Sequence, residues 1–159
     1  MIRFFGNIEV KVDVKGRVFI PAQFRKHLLT DTEVRLIIRK DVFQNCLVIY
    51  PETVWNDELD ELLSRLNKWK ASHQHLLRQF VSDLEIVTPD SNGRILIPKR
   101  YLQLAEIQSD VRFIGVGNKI EIWSREKTEQ PFMTPDTFSR ELEDLMGNAR
   151  DDISIPADE

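Results

Sequence analysis

The chain contains two copies of one short motif, and this internal repeat is the feature that most restricts its fold. The copies run from Asp13 to Pro21 and from Asp90 to Pro98, each with the pattern Asp-x-x-Gly-Arg, three apolar residues and proline. The same register of 77 residues relates three further positions in each half, Val34, Arg35 and Ile37 to Val111, Arg112 and Ile114. Repetition at a fixed spacing indicates one supersecondary unit used twice. A unit of roughly 50 residues buries only a modest core by itself, so we expect the two units to share one.

Each unit is predicted to contain a strand, a turn, a returning strand, a helix and two closing strands. Asp13 can bond the backbone that follows it, and Gly16 accepts a positive φ, as tight turns require. Pro21 suits the first position of a helix, where its missing N–H costs nothing. Gly93 and Pro98 occupy the equivalent places in the second unit. The fold class is therefore predicted to be α+β.

Helical periodicity predicts a connector between the units and a helix after them. Apolar residues form one stripe from Trp55 to Leu66 and another from Trp69 to Phe80, which favours a helical hairpin. Thr134-Pro135 is typical of a helix start. The expected boundaries are 7–53 for the first repeat, 54–82 for the helical connector, 83–126 for the second repeat, 134–148 for a C-terminal helix and 149–159 for an acidic tail.

Charge is unevenly distributed along the chain. The net charge is −4, but the first 40 residues contain nine Lys or Arg and four Asp or Glu, leaving −9 for the remainder. Such asymmetry favours a local anion-binding surface on an acidic body. An ordinary mixed surface is the alternative, and charge alone does not exclude it.

Other features restrict the compartment and the chemistry. Cys46 is the only cysteine, which rules out an intrachain disulfide and fits the cytoplasm. No apolar run is long enough to span a bilayer, so no membrane partner is expected. His73 and His75 would face different sides of a helix, which argues against a metal site. With no set of acid, base and nucleophile in the sequence, we expect no enzymatic activity, no metal and no cofactor.

The two turns carry the residues best suited to bind an anion. Arginine presents a planar fork that matches guanine O6 and N7, or a phosphate, and Arg17 and Arg94 follow the turns directly. Asp13 either orients the Arg17 guanidinium or only closes the turn. A two-stranded ribbon fits the major groove of DNA. From the residues alone, an ordinary hairpin with arginine in solvent remains an open alternative.

The stretch Asp13 to Arg25, which reads Asp-x-Lys-Gly-Arg-Val-x-Ile-Pro-Ala-x-x-Arg, resembles the first signature of the MraZ family. Asp90 to Pro98 resembles the second copy, and the likeness covers nearly the whole chain. The wider AbrB-like group shares only a single, looser unit. The resemblance implies two repeats that share a pseudo-two-fold, swapped-hairpin β-barrel.

The resemblance also implies a function. It is that of a bacterial transcriptional regulator, cytoplasmic and nucleoid-associated, that represses the division and cell-wall gene cluster, including its own promoter. Such proteins bind double-stranded DNA at short G-rich direct repeats and assemble into homo-oligomeric rings. The residues implicated in DNA binding are Asp13, Lys15, Arg17, Arg25, Asp90 and Arg94, with Gly16 and Gly93 shaping the turns.

The two copies are not equally basic. Ser91-Asn92 stand in the second turn where the first has Lys15. We therefore expect Arg17 and Lys15 to contribute more to DNA binding than Arg94. The alternative function is a protein-interaction module, such as an antitoxin-like scaffold, whose turns contact another protein.

Overall fold

The described elements repeat one order twice, with two helices between the copies. The structure, a computed structural model, describes residues 3–28 and 35–152, with side chains as far as 147. Val34 and the end of the expected acidic tail, 153–159, lie outside the described residues. In chain order the elements are β1 (Phe4–Lys11), β2 (Arg17–Phe19), α1 (Ala22–Leu28), β3 (Leu36–Lys40), β4 (Leu47–Pro51), α2 (Glu52–Arg65), α3 (Ala71–Ser82), β5 (Glu85–Val87), β6 (Arg94–Leu96), α4 (Lys99–Leu104), β7 (Asp110–Gly117), β8 (Ile120–Ser124), a short 3₁₀ helix (Arg125–Thr128) and α5 (Pro135–Asp152).

The strands form an open six-stranded sheet and a separate two-stranded ribbon. The sheet has the order β1-β7-β8-β4-β3-β5, and the ribbon pairs β2 with β6. All of these pairs are antiparallel. The α+β class and the two-repeat organisation are confirmed. The strands do not close into the expected barrel, because β1 and β5 remain at opposite edges while β2 and β6 pair with each other.

The two repeats exchange strands around a local pseudo-two-fold axis. β1 pairs with β7, and β2 pairs with β6, so the strands on either side of the first turn pair with the other repeat and not with each other. The ribbon is centred on Val18 opposite Ile95, two residues related by the repeat register of 77. The exchange makes the ribbon a product of both repeats, as the swapped-hairpin expectation requires.

One backbone hydrogen bond attaches each turn to the other repeat. The Ile20 N–H donates to the Gly93 carbonyl over 3.0 Å, and the Ile97 N–H donates to the Gly16 carbonyl over 2.8 Å. These bonds are equivalent under the repeat register. They place the two turns at the two ends of the ribbon.

One apolar core is built from matching residues of both repeats. Three equivalent pairs in it are each at most 1% exposed: Val18 and Ile95, Ile20 and Ile97, Phe24 and Tyr101. Full burial of a large apolar side chain contributes roughly 1.5–3 kcal/mol, so a core shared in this way stabilises both units together. The expectation of a common core agrees with this packing.

A second, smaller cluster lies where the connector helices cover β3 and β4. The rings of Trp55 and Phe80 stack with centroids 5.2 Å apart. The Arg39 guanidinium lies 4.7 Å from the Phe80 centroid, and its Nη1 donates to the Phe80 carbonyl over 2.9 Å. Arg39 is only 6% exposed, so this member of the basic N-terminal set belongs to the packing of the connector and not to an anion-binding surface.

The connector departs from the expected stripe at its far end. Trp69 lies between α2 and α3 and is 85% exposed, so it is not part of a buried helical face. The reason is local: α2 ends at Arg65, and the Asn67 N–H donates to His73 Nδ1 over 2.8 Å, which holds the loop against the start of α3. The His73 side chain therefore stabilises the loop between α2 and α3.

The C-terminal residues from Thr128 onward form a second unit, distinct from the residues up to Lys127. Its helix α5 is capped as expected, because the Thr137 N–H donates to Thr134 Oγ1 over 3.2 Å. The helix extends to Asp152, beyond the expected end at 148, and Gly147 lies inside it. Its apolar face, defined by Phe138, Leu142, Leu145 and Met146, is exposed.

The two turn glycines predict unequal costs of substitution. Gly16 has φ +89° and Gly93 has φ +83°, so alanine is strained at both, by about 1–2 kcal/mol. A Cβ on Gly16 would lie 2.7 Å from the Ile97 carbonyl oxygen, whereas one on Gly93 would lie 2.7 Å from Arg25 Cδ, in a side chain that can move. We expect Gly16→Ala to lower the free energy of unfolding by roughly 2–4 kcal/mol and Gly93→Ala by about half as much.

Denaturant unfolding at a fixed protein concentration measures this difference. Gly147→Ala is the matched control, because the residue is helical and, its own helix backbone aside, nothing in the described part of the chain lies within 4 Å of its added Cβ. That variant should be neutral or slightly more stable. Equal losses at Gly16 and Gly93 would contradict the role of the Ile97 carbonyl.

Candidate nucleic-acid interface

The first turn holds an arginine in a fixed position. Asp13 Oδ1 accepts the backbone N–H groups of Lys15 and Arg17, both over 2.9 Å. Its Oδ2 accepts the Nε–H of Arg17 over 2.8 Å. Asp13 therefore performs both of the roles considered for it, since one oxygen closes the turn and the other orients the guanidinium.

The second turn has the same geometry. Asp90 Oδ1 accepts the backbone N–H groups of Asn92 and Arg94 over 2.9 Å each, and Oδ2 accepts the Arg94 Nε–H over 3.0 Å. The replacement of a basic residue by Ser91-Asn92 leaves the turn unchanged, because the contact at position 92 uses only its backbone. The two arginines are thus presented in equivalent ways.

The contacts leave the outer edge of each guanidinium available. Only the Nε of Arg17 and of Arg94 is bonded to aspartate, and within the described part of the chain Nη1 and Nη2 of both have no hydrogen-bond partner. Their side chains are 38% and 27% exposed. An arginine held through Nε with free terminal nitrogens can offer a two-donor fork to a guanine edge or a phosphate.

The ribbon places both arginines on one face. Side chains alternate across a strand, so Arg17 and Phe19 of β2 share the outer face, as do Arg94 and Leu96 of β6. Arg17 lies opposite Leu96, and Phe19 lies opposite Arg94. The outer ribbon face, defined by these four residues, therefore alternates arginine with a large apolar side chain.

Arg25 lies against the turn of the other repeat. Its side chain covers Gly93, and with Asn92 and Phe19 it lines a shallow groove beside the second turn. The equivalent position in the second repeat is Leu102, whose side chain lies against Gly16. The second turn, which lacks a lysine of its own, thus receives a cation from the first repeat.

The first motif by itself does not predict this placement. In the sequence, Arg25 completes the first signature. The register that relates Arg25 to Leu102 is visible in the sequence, but only the exchange of strands between repeats brings α1 to the second turn. All six expected DNA-binding residues lie at or beside the two turns.

The aspartates are held as carboxylates. The Arg17 backbone N–H is the main cause of a lowered pKa at Asp13, and the Arg94 backbone N–H lowers the pKa of Asp90 in the same way. Both carboxyl groups thus remain charged at neutral pH. The negative charge needed to hold each arginine is therefore present under ordinary conditions.

Other kinds of site find little support in the described residues. Burial raises the pKa of the Cys46 thiol to about 12, which makes this buried cysteine a poor nucleophile. Within 3–28 and 35–152, no group of His, Cys, Asp and Glu is arranged to hold a metal ion. No described helix combines the length and apolar character needed to cross a membrane.

The lowered pKa values predict how stability changes in acid. Ionised Asp13 and Asp90 stabilise the folded state above the ordinary carboxyl pKa of 3.8, and this contribution is lost as the pH falls through their lowered values. Asp13→Asn keeps an oxygen for the turn but loses the charge that holds Arg17. We expect the melting temperature of the variant to lie below that of wild type at neutral pH. The difference between the two melting temperatures should become smaller below pH 3.8.

Thermal unfolding followed across this pH range tests the prediction. Asp60→Asn, a change at an exposed position of α2, is the matched control and should follow wild type. A gap between Asp13→Asn and wild type that stays constant down to the lowest pH would contradict the ion-pair explanation.

The comparisons with known proteins agree with the two-repeat organisation. A family model described as "MraZ protein, putative antitoxin-like" matches residues 4–79 and 82–143, one match for each repeat. A protein of Bacteroides thetaiotaomicron named "Transcriptional regulator MraZ" is 67% identical over 148 residues, covering 93% of this chain and 95% of the relative. Proteins with the same name from Phocaeicola vulgatus and Shewanella amazonensis are 58% and 31% identical, each covering 92% of this chain and 95% of the relative. With its two matched repeats and relatives that align over almost their whole length, the chain belongs to the MraZ family.

Proposed function

We propose that the protein is a sequence-specific DNA-binding transcriptional regulator that reads guanine-containing sites with Arg17 and Arg94. The observation that carries the proposal is that both guanidinium groups are held through Nε by a turn aspartate while their terminal nitrogens remain available. Guanine offers two acceptors, O6 and N7, to such a fork in the major groove. A two-stranded ribbon such as β2–β6 fits that groove.

The relatives support the same function. Those described above are named transcriptional regulators, and they align with this chain over both repeats. Because both motifs resemble those of the MraZ family, we propose that the target of this chain is DNA upstream of its own gene, at the head of the division and cell-wall cluster. We propose that it represses transcription there from short G-rich direct repeats, as a cytoplasmic, nucleoid-associated protein.

Different residues of the proposed site are suited to contact the bases and the phosphates of DNA. Arg17 and Arg94 suit base reading, since each is held in one orientation. Lys15 is exposed at the tip of the first turn, and Arg25 lies beside the second, where a flexible cation suits a phosphate. Asp13 and Asp90 act through the arginines that they hold.

A homo-oligomeric ring suits direct repeats. Chains related by rotation present the same ribbon in the same sense to successive sites, and linked binding raises the effective concentration. The apolar face of α5 and the exposed Trp69 offer apolar surface that assembly can bury. Because several ribbons then act together, a weak contact from each chain is sufficient.

The first experiment compares wild type with Arg17→Ala by fluorescence anisotropy on the upstream DNA, with scrambled competitor and at two salt concentrations. We expect the variant to bind roughly 10- to 100-fold more weakly, the loss typical of a two-donor arginine–guanine contact. Binding by wild type should weaken with salt, with a log–log slope of about −0.9 for each phosphate contacted.

Arg65→Ala is the matched control for this experiment. Arg65 is an exposed arginine of α2 that is also paired with a carboxylate four residues away, in this case Glu61. Its replacement should leave both affinity and oligomer size unchanged. Equal affinity of a properly assembled wild type for upstream and scrambled DNA would refute the proposal.

Replacing Arg17 by lysine distinguishes recognition of a base from attraction by positive charge alone. Lysine keeps the positive charge but cannot present two parallel donors. We expect Arg17→Lys to retain most of its affinity for scrambled DNA and to lose most of its preference for the upstream site. A variant that discriminates as well as wild type would mean that Arg17 binds a phosphate.

The two turns are expected to contribute unequally. Arg94→Ala should cost less affinity than Arg17→Ala, because the first turn carries Lys15 within it. The Arg25 side chain adds a positive charge beside the second turn, which makes the affinity losses of Arg17→Ala and Arg94→Ala more alike. These two losses should therefore differ more when Arg25→Ala is present in both variants. Titrations that give the reverse order would overturn this ranking.

The second candidate function is an antitoxin-like protein-interaction module, which the description of the matching family model favours. In that case the turns contact a protein partner. Binding would then lack the steep, sequence-independent salt dependence of phosphate contacts. The anisotropy measurements at two salt concentrations distinguish these two functions.

A further inference from the structure

We infer that Phe19 and Leu96 contact thymine methyl groups when the β2–β6 ribbon lies in the major groove, which adds thymine recognition to guanine recognition by the arginines. This inference rests on the proposed function and makes it more specific. It concerns two residues that neither the turn geometry nor the Asp–Arg pairs involve.

Both residues are large, apolar and exposed. Phe19 is 50% exposed and Leu96 is 57% exposed, whereas the residues next to them on the inner face, Val18 and Ile95, are each 1% exposed. Burial in the core therefore explains why Val18 and Ile95 are apolar, but it does not explain why Phe19 and Leu96 are apolar. A single exposed apolar residue is common on protein surfaces. Here two of them occupy equivalent positions of the pseudo-two-fold ribbon, each directly opposite an arginine.

The pairing of the ribbon sets the distance between apolar and charged groups. Phe19 lies directly opposite Arg94, and the Arg94 guanidinium carbon is 5.8 Å from the centre of the Phe19 ring. Opposite residues of an antiparallel pair have Cβ atoms about 4.5–5.5 Å apart. Base pairs follow one another at about 3.4 Å. A guanine bound by one arginine thus has a neighbouring base within reach of the apolar residue opposite.

The chemistry of the groove selects thymine as the base that such residues recognise. The C5 methyl of thymine is the apolar group that base edges present in the major groove, and phenylalanine is among the residues that contact it. Burial of one methyl group away from water contributes about 0.8 kcal/mol to the free energy of binding, which corresponds to a factor of roughly 3 to 5 in affinity for each methyl.

The surrounding charge favours DNA over an apolar protein partner. Arg17 and Arg94 lie in the same face, Lys15 lies at one end of it and Arg25 at the other. An apolar partner that covered Phe19 and Leu96 would also cover the free ends of two guanidinium groups without bonding them, which is costly. A polyanion with apolar methyl groups between its acceptors satisfies both kinds of residue.

Deoxyuridine tests the inference, because it pairs with adenine as thymidine does and lacks only the methyl group. The upstream duplex is prepared with thymidine or with deoxyuridine throughout the segment that wild type protects in a footprint. Substitution outside that segment serves as the DNA control. Anisotropy is then measured for wild type, Phe19→Ser, Phe19→Leu, Leu96→Ser and the control Phe43→Ser, which changes a phenylalanine 87% exposed in a loop.

We expect wild type and Phe43→Ser to bind the deoxyuridine duplex more weakly, by roughly 3- to 5-fold for each methyl contacted. Phe19→Ser and Leu96→Ser should bind the thymidine duplex more weakly and discriminate less between the two duplexes. Phe19→Leu should keep most of the discrimination. The salt dependence of Phe19→Ser should match that of wild type, because the lost contact involves no phosphate.

The outcomes separate the inference from the function on which it rests. Equal binding of both duplexes by wild type, with Arg17→Ala still defective, would overturn the thymine contact and leave the regulator function in place. Absence of selective binding by wild type would overturn both. A change of oligomer size in Phe19→Ser would place this residue between copies of the chain, which also contradicts the inference.

Discussion

The crossed pair of backbone hydrogen bonds, from Ile20 to Gly93 and from Ile97 to Gly16, is the constraint on which the rest of the structure depends. The acceptor of each bond is a turn glycine with a positive φ, and at Gly16 the other repeat approaches so closely that a Cβ would meet the Ile97 carbonyl. Because each turn is attached to the opposite repeat, β2 must pair with β6, and both motifs contribute to one ribbon.

The ribbon makes two separate sequence motifs into one surface. If each turn belonged to an independent hairpin, Arg17 and Arg94 would have no defined relation to each other. On the ribbon they lie diagonally across a pair of strands, with Phe19 and Leu96 completing the face. The turn aspartates then hold the arginines through Nε, which reduces the loss of side-chain freedom on binding, a loss that reaches about 2 kcal/mol for a free arginine.

Arginines close together in the sequence have different roles in the fold. Arg17 is held at the surface by Asp13, Arg25 lies against the turn of the other repeat, and Arg39 is buried against the rings of Trp55 and Phe80. Counting positive charge in the first 40 residues treats these residues alike. Burial and hydrogen-bond partners distinguish these arginines, and for Arg25 and Arg39 the neighbouring residues, Gly93 and Phe80, are more than 40 positions away in the sequence.

Features decided by short-range contacts were accessible from the sequence. The turn at Asp13, the helix start after Pro21, the cap at Thr134 and the α+β class follow from φ preferences and from bonds that span a few residues, and the repeat register made the likeness to the MraZ family specific. The resemblance implied an exchange of hairpins, but the tertiary structure alone decided that the six-stranded sheet stays open and that Arg25 lies beside the second turn. It also decided that Arg39 is buried and that Trp69 is exposed. The physical reason is that strand partners and burial are set by packing between distant segments, whereas a turn or a cap is set by the residues that form it.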